Sequence, residues 1–310
     1  MRVNVLFAAS ATRWADYEGP LRDAIAAVGV EAHLGTDLPP ETVDYIVYAP
    51  NAALQDFTPY TRAKAVLNLW AGVEAIVGNP TLTIPLCRMV DPALTQGMVE
   101  WVTGHILRLH LGMDAHIGAA PGTWEPAAPP LAFDTQVTVQ GLGELGAACA
   151  RALAALGFDV TGWSRSPKDI AGVTCLSGPD GLEAALKRAD YCVLLLPKTP
   201  QTNDILNART LALMPRGARI LNPGRGPLID DDALLAALDS GQIGHATLDT
   251  FRIEPLPAEH PFWAHPHVTV TPHIASETRA AYSSKTVAEN IRRGEAKEPF
   301  LHLVDQTAGY

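Results

Sequence analysis

The chain has 310 residues, 47% of them apolar and 18% charged, enough for about two domains of roughly 150 residues each. That composition excludes a disordered or fibrous chain. With 23 Lys and Arg against 33 Asp and Glu, the net charge of −10 is a poor match to nucleic acid or an anionic membrane, though one or two placed arginines suffice for an anionic substrate.

Residues 3–9 read as a first strand rather than a leader, since no cleavage pattern follows them. A helix is predicted over 21–28, stopped by Gly29, with strands at 43–49 and 65–70. Asp91-Pro92 signals a helix start, and Met98, Val102, Ile106 and Leu109 carry the helical period to residue 111. The Gly- and Pro-rich stretch 118–130 reads as a linker. A second series follows, with strands predicted at 137–139, 158–163, 192–196, 219–222, 246–249 and 268–270. Helices are predicted at 145–156, 182–188, 231–238 and 277–293. Such alternation implies parallel sheets with helices on their faces. No run of 18 apolar residues exists to span a membrane. Cys87, Cys149, Cys175 and Cys192 form no CxxC and read as reduced thiols of a cytoplasmic protein.

Gly141, Gly143 and Gly146 form a G-x-G-x-x-G that includes Leu145. The pattern alone is weak. Here a strand precedes it and a helix follows. The first glycine allows a tight turn, the second lets a pyrophosphate approach, and the third lets helix and strand pack closely. The next strand ends in Trp163-Ser164-Arg165-Ser166, with Lys168 nearby. Ser164 stands where an acid would bind the ribose of NAD. A serine does not repel a 2′-phosphate, and Arg165 can pair with one. NADP(H) is therefore expected in preference to NAD(H). The blander reading of Arg165 is an exposed turn arginine.

Three downstream clusters carry groups able to do chemistry: Pro223-Gly224-Arg225, then Glu254 after Asp249, then His273 after Pro272. Each alone has a structural explanation. Together they match the needs of 2-oxo acid reduction. Arg225 can hold a carboxylate and polarise a carbonyl. Histidine ordinarily titrates near neutral pH, so His273 can donate a proton, and Glu254 can orient it. A metal site at His260, His265, His267 and His273 fits no closed zinc spacing. A serine hydrolase would want a G-x-S-x-G, which the chain lacks.

The joint set resembles the D-isomer-specific 2-hydroxyacid dehydrogenases, most closely their glyoxylate/hydroxypyruvate reductase A-like branch. The set comprises the glycine loop, Asn222-x-x-Arg225-Gly226, the run 231–243, Leu248-Asp249-x-Phe251-x-x-Glu254-Pro255 and Pro272-His273. The resemblance implies two Rossmann-like or flavodoxin-like α/β domains with parallel sheets and an interdomain active-site cleft. It puts a substrate domain at 1–98 plus 282–310 and an NAD(P)-binding domain at 99–281. Arg225, Glu254 and His273 would be the catalytic set. Asp249 would face the nicotinamide end, and Leu196, Pro197, Thr202, Pro223 and Gly224 would line the cofactor cleft. The backbone amides of Ala71-Gly72-Val73 would hold the substrate carboxylate. Trp70 replaces a small residue common in the branch and would narrow the pocket or stack on a substrate. Trp124 would either approach a neighbouring subunit or pack locally. The Gly309-Tyr310 ending also matches the branch. The implied activity is NADPH-dependent reduction of glyoxylate and hydroxypyruvate by a cytoplasmic homodimer. The alternatives are a reductase of a bulkier acid such as phenylpyruvate and a dinucleotide-sensing binding protein.

Overall fold

The computed structural model describes residues 2–50, 53–306 and 309; Tyr310 lies outside them. The chain divides into two compact units, Met1–Leu94 with Glu277–Tyr310 and Thr95–Ser276. The changeovers fall at 94/95 and 276/277 rather than at 98/99 and 281/282.

In chain order the elements are β1 (Val3–Ala8), α1 (Ala11–Ala27), β2 (Ala32–Gly35), β3 (Tyr45–Tyr48), β4 (Ala65–Asn68), β5 (Leu86–Cys87), α2 (Pro92–His110), α3 (Met113–Ile117) and β6 (Gln136–Gln140). There follow α4 (Glu144–Ala155), β7 (Asp159–Ser164), β8 (Thr174–Ser177), α5 (Gly178–Lys187), β9 (Tyr191–Leu194) and α6 (Ala208–Leu211). The last are β10 (Ala218–Asn222), α7 (Asp231–Asp239), β11 (Ile243–Leu248), β12 (Val268–Val270) and α8 (Ala280–Glu295).

The discontinuous unit holds a five-stranded sheet ordered β2-β1-β3-β4-β5, parallel throughout. Val5 and Phe7 pack against α1 and α8, whereas Leu6 and Ile46 enter a second core on the other face. This is the two-residue period of a strand buried on both sides. Helix α1 begins ten residues before the predicted start at Leu21 and contains Pro20. Ser10 caps it by accepting from the Arg13 amide at 3.3 Å. Tyr17, Leu21 and Ile25 form its buried stripe. Burying three such side chains is worth about 1.5–3 kcal/mol each, against about 3 kcal/mol for an interior proline, so the helix persists through Pro20.

The central unit holds a seven-stranded sheet ordered β12-β11-β10-β9-β6-β7-β8, again parallel. Counted from β6, this is the 3-2-1-4-5-6 order of a doubly wound dinucleotide fold with one further strand. Helix α2 starts as predicted, with Asp91 Oδ1 accepting from the amides of Ala93 and Leu94. Its Met98, Val102 and Ile106 join α4 on one face of the sheet, and α5 and α7 cover the other. Residues 111–131 are exposed without interruption, and the Trp124 side chain is 91% exposed. No helix among the described residues is long and apolar enough to cross a membrane.

One polar cluster ties α2 to the β11–β12 edge. Thr269 Oγ1 accepts from Arg108 Nη1 at 3.2 Å and lies within hydrogen-bond distance of His245 Nε2, at 2.9 Å. Burial pushes His245 down to about 4, and Arg108 adds to the shift. A folded-state value below the free value of 6.5 gives stability that is complete above that pH and lost as pH falls toward 4. The melting temperature should therefore fall across this window, and fall less in His245→Gln. Equal slopes in the two proteins would remove His245 as the source.

Candidate active site

The glycine loop joins β6 to α4 at the sheet's switch point, where strand order reverses between β6 and β9. Gly141 has φ +100°, and a Cβ there would lie 2.6 Å from the Leu195 carbonyl oxygen. A Cβ on Gly146 would lie 1.8 Å from the Gly141 oxygen. Gly143 differs: a Cβ there would meet nothing within 4 Å. No side chain caps α4 at Gly143, so the helix end offers amide donors and positive potential beside open space. The residues present fit a dinucleotide pyrophosphate. Leu145 is half-buried against the core.

Strand β7 ends on Ser164, whose hydroxyl donates to the Ser166 carbonyl at 2.7 Å and so is committed within its own turn. Arg165 and Ser166 are exposed. Trp163 touches the loop through its backbone, its carbonyl accepting from the Gly141 amide at 2.7 Å. Its ring lies in the core, with Nε1 donating to the Gly178 carbonyl. Beyond β9, Leu196 is buried and Pro197 half-buried. Thr202 closes that loop by donating to the Pro197 carbonyl at 2.6 Å.

Strand β10 delivers Arg225. Asn222 shapes the loop, donating from Nδ2 to the Arg225 carbonyl at 2.9 Å and accepting from the Gly224 amide at 3.2 Å. Pro223 and Gly224 are buried, and a Cβ on Gly224 would lie 2.7 Å from the Leu194 oxygen. Arg225 is half-buried and its Nη1 donates to the Gly224 carbonyl at 2.6 Å. Gly226 lies directly against the Phe251 backbone, where a Cβ would come within 2.0 Å. That close approach brings the arginine loop beside the segment carrying Glu254.

Strand β11 is followed directly by Asp249, which is 0% exposed. Its carboxylate accepts from Thr271 Oγ1 at 2.5 Å and from the amides of Ile274 and Ala275, both at 2.9 Å. Its carbonyl accepts from the His273 amide at 2.9 Å. His273 itself has φ +54°, in the left-handed region. Glu254 spans two partners: Oε1 accepts from the Phe251 amide at 2.9 Å, and Oε2 meets His273 Nδ1 at 2.7 Å. A carboxylate at Nδ1 makes that nitrogen the N–H, so the opposite nitrogen, Nε2, is left for other chemistry. The His273 side chain is 53% exposed.

The structure thus brings Glu254 and His273 into contact and sets the Arg225 loop against the same segment. Asp249 holds the histidine loop through every bond its carboxylate makes. Asn222 and Thr271, which shape the two loops, were not predicted as site residues; an asparagine ending an apolar strand before Pro-Gly was the available signal. Trp70, Ala71, Gly72 and Val73 belong to the discontinuous unit. There Trp70 is 37% exposed, and the Arg13 guanidinium lies 5.9 Å over its ring. Among the described residues no three His, Cys, Asp or Glu side chains form a metal-binding group.

The NAD-binding domain of the D-isomer specific 2-hydroxyacid dehydrogenases matches residues 112–275. Glyoxylate/hydroxypyruvate reductase A of Yersinia enterocolitica is 39% identical over 80% of this chain and 82% of its own. A D-isomer specific 2-hydroxyacid dehydrogenase from Xanthobacter autotrophicus Py2, solved with NADPH and MES, superposes with a TM-score of 0.88. It is 38% identical and covers 99% of both chains. The NADPH-dependent glyoxylate/hydroxypyruvate reductase of Sinorhizobium meliloti, solved with NADP and sulfate, gives a TM-score of 0.85. It is 35% identical and covers 100% of this chain and 99% of its own.

A Rossmann-type unit with this phosphate loop and an exposed Glu–His pair defines an NAD(P)-dependent oxidoreductase. Both the family match and the full-length superpositions narrow the class. The chain belongs to the D-isomer specific 2-hydroxyacid dehydrogenase family, in its glyoxylate/hydroxypyruvate reductase A-like branch.

The glycine loop makes a paired prediction. Gly143→Ala adds a methyl into the open space at the α4 end; if that is where a pyrophosphate docks, NADPH affinity should fall about 10-fold or more with the melting temperature within about 2 °C. Gly146→Ala forces helix from strand and should lower the melting temperature itself. Thermal melts and fluorescence titration of NADPH check both.

Proposed function

We propose that the protein reduces small 2-oxo acids, glyoxylate and hydroxypyruvate first, to 2-hydroxy acids with NADPH. The contact of His273 Nδ1 with Glu254 Oε2 at 2.7 Å carries the proposal. It fixes which ring nitrogen holds its proton toward Glu254 and which can serve the substrate. When bound, NADPH supplies the hydride that adds to the carbonyl carbon. His273 Nε2 gives a proton to the carbonyl oxygen, so that one hydride and one proton complete the alcohol. Arg225 pairs with the substrate anion and polarises the carbonyl. The amides of Ala71, Gly72 and Val73 hold the carboxylate. Asp249 keeps His273 in place without touching substrate.

The NADPH preference rests on β7 ending in Ser164 rather than an acid, with Arg165 and Ser166 exposed beyond it. The NADPH- and NADP-bound relatives support it. A homodimer is also proposed: Ile117, Trp124, Leu131 and Phe133 are exposed apolar side chains on and beside one uncovered arm. The free cysteines, three of them buried, suit a reducing cytoplasm.

Absorbance loss at 340 nm tests the reading. Turnover should be fast with glyoxylate or hydroxypyruvate and NADPH. His273→Ala should lower kcat by about 10²–10⁴-fold with NADPH affinity within about threefold; equal losses in both would sink the proton-donor role. Arg165→Ala should lower the preference for NADPH over NADH by about 10-fold; an unchanged ratio would place the phosphate elsewhere. Turnover of phenylpyruvate alone would replace the small-acid reading, and NADPH binding without turnover would replace the enzyme reading with a sensor. Light scattering checks the dimer.

A further inference from the structure

In the loop after β4, three carbonyls are occupied and three successive amides are open. Trp70 O accepts from the Met89 amide at 3.0 Å and from Asn68 Nδ2 at 2.9 Å. Gly72 O accepts from Asn68 Nδ2 at 3.0 Å. Val73 O accepts from the amides of Ile76 and Val77. Among the described residues, the amides of Ala71, Gly72 and Val73 donate to nothing. Consecutive undonated amides on a bent backbone form a concave anion site.

Asn68 stands beneath this loop. It is 1% exposed, and it spends both its amide hydrogens on the two loop carbonyls. Its own oxygen Oδ1 has no partner. That orphan fixes the amide's orientation, because a flip would set Oδ1 against two carbonyl oxygens. A buried polar atom left unpaired calls for an explanation, and here the side chain is placed for donation alone. In a trans peptide the C=O of one residue and the N–H of the next point in opposite directions. Drawing Trp70 O and Gly72 O toward Asn68 therefore turns the Ala71 and Val73 N–H groups away from it, to the open side of the loop.

We propose that Asn68 is a positioning residue for the substrate: a buried clamp that aims the Ala71 and Val73 amides at the carboxylate of the 2-oxo acid. The inference rests on the reading of residues 71–73 as the carboxylate anchor. Asn68 touches no substrate atom, and its contribution passes through two peptide planes. Its effect is confined to substrates that carry the carboxylate.

Glyoxylate and its uncharged ethyl ester separate this role from a general structural one. In Asn68→Ala and Asn68→Asp, kcat/KM for glyoxylate should fall about 10- to 100-fold, chiefly through KM. For the ester it should stay within about twofold, as should NADPH affinity. Asn68→Ser keeps one donor and should recover part of the acid-over-ester preference; it also decides the matter if the other variants do not fold. Ala71→Pro deletes one amide without altering Asn68 and should lower the same preference. If Ala71→Pro lowers it and the Asn68 variants do not, the clamp is wrong and the anchor reading stands. If Ala71→Pro also leaves it unchanged, the anchor reading itself is wrong. Equal losses on acid and ester, or lost NADPH binding, would make Asn68 a structural residue and overturn the proposal.

Discussion

The buried carboxylate of Asp249 is the interaction on which the histidine's position depends. It sits at the end of β11 with no exposed surface and accepts from Thr271, Ile274 and Ala275. An unpaired carboxylate there would be costly; three donors offset the loss of water. The donors come from residues flanking His273, so satisfying the aspartate means curling that segment around it. His273 is left in the left-handed region that non-glycine residues rarely adopt. The surrounding hydrogen bonds over-determine that conformation. Glu254 then needs only one anchor, the Phe251 amide, to present its second oxygen to the ring.

Sheet topology explains why these groups share one edge. In a parallel sheet every strand points the same way, so the loops after all strands emerge together. The glycine loop follows β6, Ser164 ends β7, and Leu196 follows β9. Arg225 follows β10, Asp249 and Glu254 follow β11, and His273 follows β12. Close backbone approaches hold neighbouring loops in register. Gly141 lies on Leu195, Gly224 on Leu194 and Gly226 on Phe251, and at each a side chain would force the loops apart. These glycines act by what they leave out. The discontinuous unit uses the same geometry: its loop 69–73 follows β4, and Asn68, the last residue of that strand, organises it.

Long elements with a strong apolar period were legible in the sequence. Helix α2, with its Asp91-Pro92 start and its Met98–Val102–Ile106 stripe, is one; the alternating strands of the central unit are others. Strands β2 and β5 were not. Each has four residues or fewer, and β2 lies at a sheet edge where little burial marks it. Helix α6 is a single turn defined by a capping box between Asn207 and Thr210, a signal of polar rather than apolar residues. The first half of α1 was missed because Gly19-Pro20 reads as an interruption; the stripe of Tyr17, Leu21 and Ile25 that overrides it exists only against the folded sheet.

By itself the sequence determined the α/β class, the phosphate loop and the residue types for acid–base chemistry, because each follows from local spacing. Glycines at 141, 143 and 146 between a strand and a helix mean the same thing in any such chain. Local spacing carries no information on partners far apart in the chain. The pairing of Glu254 with His273 was legible from their chemistry; that Asp249 serves the histidine loop, that the Trp163 ring belongs to the core, and that Asn68 grips two loop carbonyls were decided by tertiary structure. Each depends on which groups burial leaves with unmet hydrogen bonds, and on which neighbours the sheet brings within about 3 Å to meet them.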